Sequence, residues 1–233
     1  MNADVKSESI QIPVQGEIAV AGTVTTPEWW PSGRRLGVLI AHDAHTSAEH
    51  PQLVALTEGL ARRGHLGLRF NFPFTQAGKK RPDPLPVLER SYHAAAGALL
   101  RDPENAPARL IVAGIGLGAR VACQIVARGF KVDGLISLSY PLHPSGKPNQ
   151  TRAEALSRII CPMLFVQGDR DPHCRLDRME MTLRRVGAPT TLRVIRDASS
   201  GLEIIRRTDR TPEALVAETQ ASIDEFIARV IGA

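Results

Sequence analysis

A mostly parallel sheet of eight strands, covered by helices on both faces, is the fold this sequence predicts. Three observations support it. From residue 36 onward, six short apolar runs alternate with amphipathic stretches, the pattern of a parallel sheet buried on both sides. Ahead of them, two β-rich segments flank Gln15-Gly16-Glu17 in the manner of an antiparallel hairpin. No repeat, low-complexity tract or composition break divides the 233 residues. A single α/β domain over 1–233 is therefore expected, with residues 1–8 as a flexible tail.

Taken in order, the hairpin is "SESIQIPV" (7–14) and "IAVAGTVTTP" (18–27). The parallel strands are "LGVLIAH" (36–42), "LGLRFNF" (66–72), "RLIVAG" (109–114), "GLISLSY" (134–140), "PMLFVQGD" (162–169) and "TTLRVIRD" (190–197). Helical periodicity falls at 50–63, 84–101, 117–129, 152–158, 175–186 and 212–230. In such sheets the ligand crevice lies beyond the carboxyl ends of the strands. Chemistry is thus expected in the loops after residues 41, 71, 114, 140, 169 and 197.

Composition excludes several classes. Cys123, Cys161 and Cys174 are odd in number, far apart and without C-x-x-C spacing. That argues against a disulfide framework and a zinc site, and fits a reducing compartment. No signal-peptide pattern and no membrane-spanning run occurs, so a cytoplasmic protein is expected. The net charge of +5 comes from scattered basic pairs, and aromatic residues are only 4%. A solvated basic surface explains this better than nucleic-acid binding, which needs a clustered patch and stacking residues.

The most informative strand end is "IVAGIGLGARVACQIV" (111–126), with Gly114, Gly116 and Gly118 at alternate positions between a strand and a helix. Gly114, Gly116 and Ala119 satisfy a G-x-G-x-x-A dinucleotide fingerprint. Its ribose-binding acid should close the following strand, yet Asp133 precedes that strand and "LSYPLHP" ends it without an acid. No cofactor is expected on this ground. The competing pattern is the nucleophile elbow G-x-S-x-G. Gly114 and Gly118 match its outer glycines, and Gly116 stands where the nucleophile would be.

On these residues the chain resembles α/β-hydrolases of the dienelactone-hydrolase-like kind. It is most similar to the small branch that includes the testis-expressed and chromatin-complex (NSL) hydrolase-like proteins. The resemblance rests on "LIAHDAHTSAEHP", "LRFNFPFTQAGKKRPDP", "IVAGIGLGARVA", "SLSYPLHPSGKPNQTR" and "ICPMLFVQGDRDP". It implies an α/β-hydrolase fold with little or no lid and a Ser–Asp–His triad in that chain order. Carried over, the nucleophile falls on Gly116, the acid on Asp171, and the histidine on Ser200 or its neighbour in "RDASSGLEI". No histidine follows His173. The oxyanion loop falls on His42-Asp43-Ala44-His45, where an inward carboxylate from Asp43 would oppose developing negative charge. The N–H of Leu117 would remain as a donor.

The resemblance thus points to a catalytically degenerate hydrolase-like protein that binds a small molecule or a protein partner, and a homodimer is compatible with it. One alternative is a non-hydrolytic enzyme (lyase, isomerase or cyclase) using His42, Asp43, His45 or Asp171 as acid or base. A weak esterase is a second alternative. Pocket candidates are His42, Asp43, Ala44, His45, Asn71, Leu117, Tyr140 and His143. His42, Asp43, His45 and His50 lie close enough in sequence to suggest metal ligands, but a polar loop with structural histidines explains them better. Asp171 is expected to cap the helix near Arg175 or to pair with an arginine. Cys174 is expected as a surface or half-buried thiol.

Overall fold

The computed structural model describes residues 5–28 and 35–232. Eight strands, β1 (Val5–Gln15), β2 (Ile18–Pro27), β3 (Leu36–Ala41), β4 (Leu66–Phe70), β5 (Arg109–Ile115), β6 (Gly134–Leu138), β7 (Met163–Gly168) and β8 (Thr190–Ile195), form one sheet. Their order is β1-β2-β4-β3-β5-β6-β7-β8. The helices are α1 (Pro51–Arg62), α2 (Pro73–Gln76), α3 (Leu85–Leu100), α4 (Leu117–Ala127), α5 (Leu176–Leu183) and α6 (Pro212–Gly232). Short 3-10 helices cover Leu156–Arg158 and Ser200–Leu202. This is an α/β-hydrolase fold without an inserted lid among the described residues. Residues 1–113 and 114–233 form two compact units.

In the first unit, β1 pairs antiparallel with β2, and β2 with β4, while β3 and β4 run parallel. The hairpin starts earlier than expected: residues 5–8, assigned to the flexible tail, pair with residues 24–27 of β2. Ser7 and Glu8 are polar enough to suggest a tail, but the ladder needs only their backbone groups. Residues 1–4 of that tail lie outside the described residues. Helix α1 begins with Pro51, whose fixed φ suits the first helical position. It buries Leu53, Leu56 and Leu60, spaced three and four apart as one apolar stripe. The strand expected over 66–72 stops at Phe70. The Phe72 N–H is taken by a histidine side chain rather than by a sheet neighbour, and Pro73 then opens α2.

In the second unit, β6, β7 and β8 run parallel. The face of α6 carrying Leu215, Ile223, Phe226 and Ile227 is buried, and this helix packs on β7 and β8. The helix expected over 152–158 shrinks to Leu156–Arg158. Both backbone groups of Arg152 are engaged elsewhere: its N–H donates to the Leu142 carbonyl at 2.7 Å, and its carbonyl accepts from the Tyr140 hydroxyl at 2.8 Å. The carbonyl is therefore drawn away from the ladder of a helix starting at Arg152. Strands β6 and β8 also end early, just before residues with positive φ, Ser139 (51°) and Asp197 (58°).

Candidate functional site

The turn from β5 to α4 is built as the sequence pattern requires. A Cβ on Gly114 would lie 2.2 Å from the carbonyl carbon of Gly118 and 2.4 Å from the nitrogen of Ala119. No side chain fits there, because the helix starts directly against the strand. Gly116 caps α4 with φ 53° and ψ −110°, a conformation that costs an L-residue strain and glycine none. Its N–H donates to the Leu138 carbonyl at 2.9 Å. The turn therefore has elbow geometry and carries no side-chain atom at its apex.

One residue beyond Leu138, the end of β6 meets the acid position. The Ser139 hydroxyl donates to Asp171 Oδ2 at 2.6 Å and accepts from the N–H of Gly201 at 2.8 Å. Gln167 Nε2 donates to the same carboxylate oxygen at 2.7 Å, and the His173 N–H to Oδ1 at 2.8 Å. Asp171 is only 7% exposed, so three donors surround a buried carboxylate, the condition under which it can be held away from water. The three positions carried over from the family thus meet around Leu138 and Ser139. Gly116 bonds to Leu138, Asp171 to Ser139, and Gly201, next to Ser200, closes the ring. Ser200 opens a 3-10 turn and is half-buried.

This corrects the expected role of Asp171. Among the described residues it neither caps α5 nor pairs with an arginine, and the Arg175 N–H at that helix start donates to His143 Nε2 at 3.0 Å. His143 is 2% exposed, and its Nδ1 lies 2.9 Å from the Pro144 carbonyl. With both nitrogens engaged it ties residues 143–144 to the start of α5. Tyr140 is 1% exposed and burial drives its hydroxyl far above the ordinary range. It anchors Arg152 and packs edge-on against Phe165. Cys174 is buried, and that burial, followed by the nearby Asp171 charge, pushes its thiol up to about 12. The surface or half-buried thiol expected at this position is thus a buried one.

In the first unit, the loop after β3 is held by structural bonds. His42 is fully buried. Its Nε2 accepts from the Phe72 N–H at 3.0 Å, which leaves Nδ1 to carry the proton and donate to the Asp43 carbonyl at 2.6 Å. Phe72 and Phe74 meet its ring edge-on. Burial lowers its pKa, with the Asp43 carbonyl bond and charge acting in the opposite sense. Both of its ring nitrogens are thus bonded to backbone groups. The Asp43 N–H donates to Thr46 Oγ1 at 3.1 Å, while Asp43 and Ala44 are half-buried and His45 is exposed. Asn71 Oδ1 accepts from the Ala48 N–H at 2.8 Å, so it fastens backbone. Leu117 opens α4 and is half-buried. Among the described residues, no three His, Cys, Asp or Glu side chains are grouped to hold a metal ion.

Sequence reasoning passed over Ser139, Gln167 and Gly201. Ser139 carried one signal, a polar residue just past the end of a parallel strand, where ligand crevices lie. Gln167 sits inside an apolar strand, and a buried amide there needs a partner.

A tight turn between strand and helix, with a buried acid after the penultimate strand, fits the α/β-hydrolase class. The chain belongs to the alpha/beta hydrolase domain family, whose profile matches residues 34–228. Among solved structures it is similar to a dienelactone hydrolase from Anabaena variabilis, with 22% identity over 96% of this chain and 97% of that one and a TM-score of 0.73. A lidless α/β serine hydrolase from Xanthomonas campestris matches at 18% identity over 98% and 96% of the two chains, TM-score 0.73. A Pyrococcus furiosus esterase matches at 17% identity over 96% and 90%, TM-score 0.75. At these identities the likeness is one of fold.

Proposed function

We propose that this protein is a catalytically degenerate member of the α/β-hydrolase family, of the dienelactone-hydrolase-like kind and akin to the testis-expressed and NSL hydrolase-like branch. It acts as a single-domain module that binds a small molecule or a protein partner. The observation that carries this reading is the occupancy of Asp171. In a working triad the acid orients a histidine, which takes a proton from the serine. Here the Ser139 hydroxyl occupies Oδ2, Gly116 offers no nucleophile, and Ser200 stands where the base would be. The fold does not depend on the triad, and a fold alone does not assign an activity. The three free cysteines fit a reducing, cytoplasmic setting.

Hydrolysis of p-nitrophenyl butyrate tests the reading. The purified protein should give no turnover above the buffer rate, and Asp171→Asn should change nothing. Turnover that survives purification and disappears in Asp171→Asn would show that Asp171 works in a catalytic site. The non-hydrolytic alternative is weakened at one of its four candidates, because both ring nitrogens of buried His42 are committed to backbone groups.

A further inference from the structure

The second unit contains a cleft of about 560 Å³ that none of the residues discussed so far lines. One wall is a helical face. Arg178, Met181 and Arg185 follow each other along α5 and the turn after it, with Val186 beside them. The other wall is the segment that follows Tyr140, including Asn149 and Glu154. The volume is that of a small-molecule site. Gly116, Ser139, Asp171 and Ser200 are absent from its lining, so its existence does not depend on whether the elbow is catalytic.

The chemistry of the walls is specific. Arg178 is half-buried and oriented by Asn149, whose Oδ1 accepts from Nη2 at 3.0 Å. Its Nε is buried and has no hydrogen-bond partner among the described residues. That N–H is closed to a ligand as it is to water, so Arg178 meets the cleft through the Nη end of its guanidinium. Both oxygens of the adjacent Asp177 accept from Arg175, at 2.9 and 2.8 Å. Arg185 adds a second positive charge on the same face, and Glu154 opposes them with one negative charge. Beside the guanidinium, Met181 is 47% exposed and Val186 is half-buried, offering apolar surface that water leaves unsatisfied.

We propose that this cleft is a binding site for a small organic monocarboxylate with an apolar body. The carboxylate accepts from the Arg178 side chain, and the apolar part lies along Met181 and Val186. A planar guanidinium held in place by Asn149 matches a carboxylate in shape as well as charge. The Glu154 carboxylate disfavours a doubly charged anion, which separates this class from phosphate.

Titration of 15N-labelled protein with hexanoate, followed by NMR, tests the assignment, with 1-hexanol and inorganic phosphate as comparisons. Hexanoate should give saturable shifts of the Arg178 Nε–H resonance and of amides in 149–157 and 178–186. Arg178→Lys, which keeps the charge, should weaken binding by about tenfold or more. Glu154→Gln should tighten it by about threefold, a gain that a misfolded variant could not produce. Four results would overturn the proposal: no saturable shift, hexanol bound as tightly as hexanoate, phosphate bound more tightly, or hexanoate affinity unchanged in both variants.

Discussion

Ser139 holds a φ of 51° that is ordinarily left to glycine, and its two hydrogen bonds account for its presence there. The strain is about 1 kcal/mol, while a hydrogen bond to a carboxylate contributes about 1.5 kcal/mol or more. Both Ser139→Gly and Ser139→Ala should therefore destabilise the protein. The alanine variant should be worse by about 1 kcal/mol because it keeps the strain, and urea midpoints would measure the difference. Equal losses would mean that the backbone, rather than the bonds, sets the conformation. The same residue bears on any attempt to rebuild a triad. Gly116→Ser with Ser200→His should remain inactive on p-nitrophenyl butyrate while Ser139 occupies Asp171, and adding Ser139→Gly should be required before any turnover emerges. Turnover in the double variant alone would show that Ser139 does not block the acid. The glycine at the elbow was plain in the sequence because its neighbours follow a spacing rule. Ser139 was not, since the bond from a hydroxyl to a carboxylate 32 positions away leaves no local pattern.

At the level of elements, the strand-to-helix turns fix most of the architecture. Gly114→Ala would drive a Cβ into the backbone of Gly118, which no side-chain rotation can relieve. A loss of about 3 kcal/mol is expected in denaturant unfolding, whereas a neutral result would place the start of α4 farther from β5. His143 performs a comparable task between two loops. Its removal in His143→Ala should cost about 1 to 2 kcal/mol and speed hydrogen exchange at the Arg175 amide. The parallel strands and the long helices were legible from apolar periodicity. Their ends were less so, because they depend on tertiary bonds, such as the one that takes the Phe72 N–H to His42. The helix expected over 152–158 failed for the same reason, with Tyr140 and Leu142 claiming Arg152.

For the molecule as a whole, the buried histidine ties stability to pH. His42 has a folded pKa below its ordinary 6.5, chiefly through burial. The unfolded chain therefore binds the proton more readily than the folded one. The stabilisation is complete above pH 6.5 and is lost as the pH falls below it, toward the lowered folded value. His42→Gln should flatten the dependence of the unfolding free energy on pH between about 7 and 5; an unchanged slope would mean that other groups carry it. No helix among the described residues is long and apolar enough to cross a membrane. Composition and periodicity made the class of fold readable, yet neither could reveal how Asp171 and His42 are engaged. Those bonds join distant segments, and they decide whether a titratable residue is chemistry or scaffold.

The central claim is that the hydrolase architecture persists here without a nucleophile, and a fluorophosphonate probe tests it most directly. Such a probe forms a covalent bond only with a serine made reactive by its surroundings. Incubation followed by intact mass measurement should return the unmodified mass, with Ser139, Ser199 and Ser200 all unlabelled. A stoichiometric adduct on any one of them would contradict the account and identify the nucleophile it denies.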